Sequence, residues 1–297
     1  GRVVTDQRDA ATAPVAASSA FRQLCVEPPV SDTVAAMRDL PPGWETDLAV
    51  LGHIGSTIED RGDHLVVSTP ANPDFHWGNC IFVLDEAGVA DAQRWVTAFE
   101  AAHPWAPWRS IGLIRPPEDV RAWTALGVEV EGDDVLTTGE VPRQTPLADG
   151  YVVRRIEGDD WEQVIAAEVL DNERTGAYDP AEHERYARTQ TGLRRRLSEQ
   201  DVLAFFGAFH GSSLVSNLGI VRCGTTARYQ AVGTDEAHRR RGLAAHLLGV
   251  AARWSADHGC DRWVIVTEPD NPAGRVYRSV GFSADVGNAR AYRAPAG

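Results

Sequence analysis

Apolar residues recur along this chain with two periods, and the two alternate. Over residues 91–103, Ala92, Trp95, Val96, Phe99 and Ala102 fall on one face at helical spacing, and residues 243–258 carry a second apolar stripe of this kind. Residues 261–267 (Asp-Arg-Trp-Val-Ile-Val-Thr) instead hold a continuous apolar run, the pattern of a strand covered on both faces. The second half thus predicts a strand over 151–156, a helix over 160–170, a loop over 171–179 and a helix over 180–198. Strands follow at 202–210, 214–222 and 227–234, then the helix 243–258, the strand 261–267, a short helix and closing strands within 282–293. The first half predicts strands at 81–84 and 109–114 on either side of the helix 91–103. Strands and helices mixed in this order predict an α/β (α+β) fold.

Residues 1–20, with Ala-Thr-Ala-Pro-Val-Ala-Ala-Ser-Ser-Ala, have no periodic apolar face and are expected to form a flexible tail. Residues 142–150 (Pro-Arg-Gln-Thr-Pro-Leu-Ala-Asp-Gly) are expected to link two domains, 21–141 and 151–297. No run approaches 18 consecutive apolar residues and no leader pattern is present, so a cytoplasmic protein without membrane association is expected. Cys25, Cys80, Cys223 and Cys260 lack metal-site spacing and are expected to be buried reduced thiols, with no metal. The charge is unequally divided. Residues 1–150 hold 10 Arg against 23 Asp and Glu, residues 151–297 hold 19 against 19, and the chain has no lysine. A polyanionic ligand therefore suits the second half, and an acidic chain disfavours nucleic acid. Arg194, Arg195 and Arg196 read as an exposed helix face.

The densest chemical signal is Arg239-Arg240-Arg241-Gly242-Leu243-Ala244, between the strand 227–234 and the helix 243–258. It places free backbone amides, the positive end of a helix dipole and three guanidiniums in one turn, which is a phosphate site. A dinucleotide-binding loop would need Gly-x-Gly-x-x-Gly, and a triphosphatase loop Gly-Lys-Ser/Thr; neither occurs. Arg239-x-x-Gly242-x-Ala244 resembles the pyrophosphate loop of the GNAT superfamily of acyl-CoA-dependent N-acyltransferases. The stretch from Asp270 to Phe282 resembles that family's second signature, Asn-x-x-Ala-x-x-x-Tyr-x-x-x-Gly-Phe, with Tyr277, Gly281 and Phe282 in place. One irregularity stands out: the position expected to hold Asn holds Asp270, and Asn271 follows one residue late.

A shift of 154 residues superposes the two halves. Gly88-Val89-Ala90 falls on Gly242-Leu243-Ala244, the strand at 109–114 falls in the 263–267 region, and Trp123 falls on Tyr277. This implies two GNAT-like domains, each a mixed, mostly antiparallel sheet flanked by helices, with the first degenerate. Asp85, Glu86 and Ala87 stand where the second half has Arg239, Arg240 and Arg241, and carboxylates there would repel a pyrophosphate.

The resemblance implies an N-acetyltransferase that moves an acetyl group from acetyl-CoA to a primary amine by direct attack in a ternary complex. Val232 and Thr234 would bond the pantetheine arm through their backbones, with Asp270 or Asn271 nearby. Arg239, Arg240, Arg241, Gly242, Leu243, Ala244 and Ala245 would hold the pyrophosphate. Tyr277 would protonate the departing thiolate. The base is not readable from the residues, and Glu168, Asp171 and Glu173 are its candidates. Tyr178, Asn217 and Tyr229 are further pocket candidates. The aromatic and polar stretch 72–79 reads as a packed turn or an acceptor-pocket wall, and its His76 has no second ligand at metal spacing. The acceptor would be a small-molecule or peptide amine, and a homodimer is compatible with this reading. Two alternatives are a mycothiol-synthase-like acetylation of a cysteinyl glycoside, which shares the tandem layout, and a non-catalytic CoA-binding module.

Overall fold

The computed structural model describes residues 40–295, so the tail expected at 1–20 and Cys25 lie outside the described residues. The first half contains α1 (Pro42–His53), β1 (Thr57–Asp60), β2 (His64–Ser68), a 3-10 turn (His76–Gly78), β3 (Cys80–Val83), α2 (Ala92–Ala102), β4 (Arg109–Leu113), α3 (Arg121–Ala125), β5 (Glu129–Gly132) and β6 (Asp134–Thr138). The second contains β7 (Val152–Arg155), α4 (Asp160–Thr175), α5 (Pro180–Glu199), β8 (Leu203–His210), β9 (Ser213–Cys223) and β10 (Thr226–Thr234). A 3-10 turn (Glu236–His238) then leads to α6 (Leu243–Asp257), β11 (Arg262–Thr267), α7 (Ala273–Ser279), β12 (Ser283–Ala284) and β13 (Ala289–Arg293).

Local chemistry sets several of these boundaries. Asp91 accepts from the Arg94 amide at 3.2 Å and starts α2. Asp179 accepts from the Glu182 amide, with Pro180 at the first helical position of α5. Helix α4 runs five residues past the expected 170 and stops where Gly176 turns left-handed at φ 64° and its N–H donates to Asn172 O. Asp171 and Glu173 therefore lie on a helix, not in a loop.

Two mixed sheets form. One has six strands in the order β1-β2-β3-β4-β13-β5, and the other seven in the order β12-β6-β11-β10-β9-β8-β7. Each is antiparallel except for one central parallel pair, β3 with β4 and β10 with β11. Under the 154-residue shift β4 falls on β11, whereas β3 falls at 234–237, at the end of β10 and just beyond it. The halves also exchange a strand: β6, from the first half, pairs with β11, while β13, from the end of the second, inserts between β4 and β5. The segment 142–150 consequently does not separate the two sheets.

The core divides in three. One cluster lies between the second sheet and α6 and includes Leu136, Ala227, Tyr229, Leu247, Trp263, Ile265 and Tyr277. Another lies between the first sheet and α2, with Trp95, Phe99, Ile111 and Trp123. The third joins the halves, packing Trp44 and Leu48 of α1 with Phe82, Trp161, Phe205 and Val221. The expected linker is packed too. His246 Nδ1 donates to Thr145 O, and a Cβ on Gly249 would stand 2.4 Å from Gln144 Cα. Gly249→Ala should therefore cost about 1–3 kcal/mol, read as a lowered midpoint in urea; an unchanged midpoint would show that the segment yields freely.

Candidate active site

The parallel pair of the second sheet is split. β10 and β11 pair only through Thr226–Arg262, Ala227–Trp263 and Arg228–Val264, after which β10 continues to Thr234 and β11 to Thr267 without partnering each other. A bulge in β10 accompanies the split. Gln230 pairs with Gly219 and Gly233 with Asn217, so two residues oppose Leu218 alone. Ala231 takes φ 49°, and Asn217 Nδ2 donates to its carbonyl at 3.1 Å, which fixes the kink. Val232 and Thr234 lie in the unpaired stretch, and Ser216 Oγ sits 2.8 Å from Thr234 Oγ1.

At the mouth of the split stands the N-terminus of α6. Gly242 precedes it at φ 74°, no side chain caps its first turn, and a Cβ on Gly242 would meet nothing within 4 Å. The amides that begin this helix lack intrahelical partners by geometry. Arg239, Arg240 and Arg241 are exposed, Arg240 at φ 61°, and Arg239 Nε donates to Thr234 O at 3.2 Å. An anion with several oxygens fits this cradle: bare backbone, open space and guanidiniums in one turn. Ala245 is buried one turn in, and Leu243 and Ala244 begin the helix.

Tyr277 lies on α7, only 5% exposed, and its hydroxyl has no hydrogen-bond partner among the described residues. Burial pushes its phenol up to about 12, so it remains a proton donor throughout the physiological range. Asn271 Oδ1 accepts from the Ala273 amide at 3.0 Å and so starts α7, while Asp270 is left-handed at φ 61°. Both are exposed.

The structure scatters the three candidate bases. Glu168 is ion-paired to Arg194 and its Oε2 is buried without a partner, whereas Asp171 and Glu173 are exposed on α4. Arg194 is 6% exposed, which corrects the reading of 194–196 as an exposed face: only Arg195 and Arg196 are at the surface. The Glu168 charge compensates an arginine whose α5 face turns inward over Phe205. Tyr229 belongs to the core, donating to Leu248 O at 2.7 Å. The thiols are distant in role: Cys80 and Cys260 are buried and pushed up by burial, and Cys223 is half-buried, not buried as expected.

The stretch 72–79 is a packed turn that also meets the second half. His76 stacks on Trp108 at 3.8 Å, its Nδ1 lies 2.9 Å from Tyr292 Oη and its Nε2 3.4 Å from Glu182 Oε1; Asn72 donates to Gln190. Tyr178 meets His76 edge-on and is exposed at its other side.

The matching place in the first half is closed. β3 and β4 pair to their ends, and the ladder continues through the Ile114 amide to Val83 O. Trp123, at the position of Tyr277, is fully buried and donates its indole N–H to Val89 O. Asp85 and Asp63 share Arg94 where the second half presents its arginines.

One cluster escaped the sequence reading: Asp47, Arg228, Asp133, Asn288 and Arg290. Arg228 Nη2 meets Asp47 at 2.9 Å and Nη1 donates to Gly43 O and Thr46 Oγ1. Asp133 accepts from Arg290 Nε at 2.9 Å and Asn288 Nδ2 at 2.7 Å. The available signal was polar residues inside apolar strands, Arg228 between Ala227 and Tyr229 above all.

Comparison with known proteins follows the same lines. Residues 164–282 match the model of the acetyltransferase (GNAT) family. No curated protein matches the chain. Among solved structures, a GCN5-related N-acetyltransferase from Kribbella flavida superposes with a TM-score of 0.60 at 15% identity, over 91% of this chain and 97% of that one. A conserved protein of unknown function from Staphylococcus epidermidis gives 0.61 at 11% identity, over 81% and 94%. A GCN5-related N-acetyltransferase from Sphaerobacter thermophilus gives 0.54 at 16% identity, over 79% and 82%. The split parallel pair and the open helix N-terminus beside it thus lie within the segment that matches the acetyltransferase (GNAT) family model, in a chain whose two mixed sheets have a tandem, GNAT-like layout.

Proposed function

We propose that the chain is an N-acetyltransferase that moves an acetyl group from acetyl-CoA to a primary amine within its second half. The observation that carries this is the coincidence, at one split in one sheet, of an uncapped helix N-terminus and a buried tyrosine with an unpartnered hydroxyl. The amides of 242–245 and the guanidiniums of Arg239, Arg240 and Arg241 would receive the pyrophosphate. The backbone of Val232 and Thr234 would align the pantetheine arm as an added strand edge, with Asp270 and Asn271 at the opposite lip. The neutral amine attacks the thioester carbonyl, a C–N bond forms, the nitrogen gives up a proton to a base or to solvent, the C–S bond breaks, and Tyr277 gives its proton to the sulfur and is reprotonated from solvent.

Direct attack in a ternary complex is favoured because Cys80 and Cys260 are buried with their thiols pushed up by burial, which disfavours the thiolate a covalent acetyl-enzyme would need. Glu168 is spent on Arg194, and Asp171 and Glu173 face solvent, so the geometry favours none of the three as the base. The acceptor is read as a small-molecule or peptide amine. Thiol release from acetyl-CoA, followed against a panel of primary amines, tests the reading. Amine-dependent release supports it, whereas tight binding without release on any amine would favour a non-catalytic CoA-binding module.

A further inference from the structure

The exchange of strands brings the start of β6, from the first half, against the far edge of β11, one of the two strands that part at the split. Asp134 opens β6 opposite Thr267, the last residue of β11, and its carboxylate meets Arg278, the neighbour of Tyr277 on α7. Successive strand residues point to opposite faces. Leu136 packs in the cluster that holds Tyr277, while Val135 and Val266 approach Gly43 of α1 on the other face. Asp133 shares the face of Val135 and is joined there by Asp47 from α1, Arg228 from β10, and Asn288 and Arg290 at β13. Arg228 is also the last residue of β10 to pair with β11. The cluster therefore runs from Arg228, at the vertex of the split, across β11 to Asp133 at the start of β6, on the face opposite the tyrosine.

A group that removes a proton from an attacking amine must stand across the thioester from the group that protonates the sulfur. We propose that Asp133 is the proton acceptor for the amine, so that the first half supplies the carboxylate and the second supplies Tyr277. This rests on the acetyl-transfer reading above and completes its proton balance. The ammonium of the acceptor gives one proton through the Asp133 carboxylate to solvent, the neutral amine forms the C–N bond, the nitrogen gives its second proton to Asp133 as the C–S bond breaks, and the thiolate takes the Tyr277 proton. Solvent then relieves Asp133 of its proton and restores the one lost by Tyr277, releasing one proton overall.

Two further observations support the assignment. Asn288 Oδ1 and Arg228 Nε are buried in this cluster without partners, so it retains hydrogen-bonding capacity for an incoming polar group or water. Burial, opposed by Arg290 and assisted by Asp47, pushes the Asp133 carboxyl up to about 6, which suits a base working near neutrality. The path from the surface is marked by Arg290, 36% exposed with Glu131 3.8 Å away, and by Tyr178, which feels both Arg290 and Glu268. Two guanidiniums among Asp47, Asp133, Glu131 and Glu268 leave the approach negative, as a cationic acceptor requires.

The test is the pH profile of kcat/KM for amine acetylation by the full chain, with acetyl-CoA binding measured separately by calorimetry. Asp133→Asn should keep acetyl-CoA binding, lower kcat/KM by about 10²- to 10⁴-fold, and replace the acidic limb near pH 6 by a rate that climbs with the amine's own ionisation; Asp133→Glu should restore part of the rate. Arg290→Gln should move the limb of the wild-type profile up, and Asp47→Asn should move it down, opposite shifts that a merely structural role would not produce. These two variants decide the matter if Asp133→Asn binds no acetyl-CoA. Activity of Asp133→Asn within about threefold of wild type with the acidic limb intact, or a limb that neither neighbouring variant moves, would overturn the assignment alone. A wild-type protein that binds acetyl-CoA but acetylates no amine would overturn the acetyl-transfer reading and this inference with it.

Discussion

Tyr277→Phe should lower kcat by about 10²- to 10⁴-fold while leaving acetyl-CoA affinity within roughly twofold, because the substitution keeps the ring in its core contacts and removes only the proton. The side chain packs with Trp263, Ile265 and Val280, so deletion of the hydroxyl creates no cavity. The pH dependence follows from the raised phenol. A general acid works only while protonated, so its contribution is present below its pKa and is lost as pH rises through about 12. Tyr277 should therefore impose no basic limb up to about pH 10, and any limb seen there belongs to another group. Steady-state rates of thiol release across this range check both statements. Equal kcat for the two proteins at every pH would reduce Tyr277 to a packing residue.

The second large effect concerns the anion cradle. Gly242→Asp should weaken acetyl-CoA binding by at least about 100-fold, which is roughly 2.7 kcal/mol. Two causes act together. The backbone at φ 74° is strained for a residue with a Cβ, and the new carboxylate would stand among the amides meant for the pyrophosphate. Gly242→Ala separates them, since it adds the strain without the charge, and it should have a clearly smaller effect. Glu86→Ala in the first half should change nothing, because the corresponding split is closed there by Trp123 and the Ile114–Val83 hydrogen bond. Equal losses in Gly242→Ala and Gly242→Asp would assign the whole effect to backbone conformation.

Much of this site was legible in the sequence because its parts are local. Arg239 to Ala245 form one turn, and Tyr277 follows its short helix start by a fixed spacing, so chain order alone brings these residues to the ends of neighbouring strands. The 154-residue shift likewise found corresponding elements, including Trp123 against Tyr277. The exchange of β6 and β13 was not legible. Asp134–Thr138 and Ala289–Arg293 occupy equivalent places in their halves, and nothing in either pattern states which sheet it joins; long-range packing decides. The bulge at Ala231 was hidden for the same reason, since it is held by Asn217 from another strand.

The carboxylates show the limit most plainly. Glu168, Asp171 and Glu173 stood out through proximity to an expected loop, but α4 continues through them and Arg194 takes Glu168. Asp47, Asp133, Arg228 and Arg290 are separated by long stretches of chain and meet only because α1 covers the split and the exchanged strands cross beside it. Charged residues so distributed read as surface until burial is known.

The central claim is one live site in the second half and one closed site in the first, and calorimetric titration of acetyl-CoA into the purified chain tests it most directly. One site per chain is the expected stoichiometry, abolished by Gly242→Asp and unaffected by Glu86→Ala. Two sites per chain would contradict the closure of the first half, and no binding at all would contradict the reading of the second.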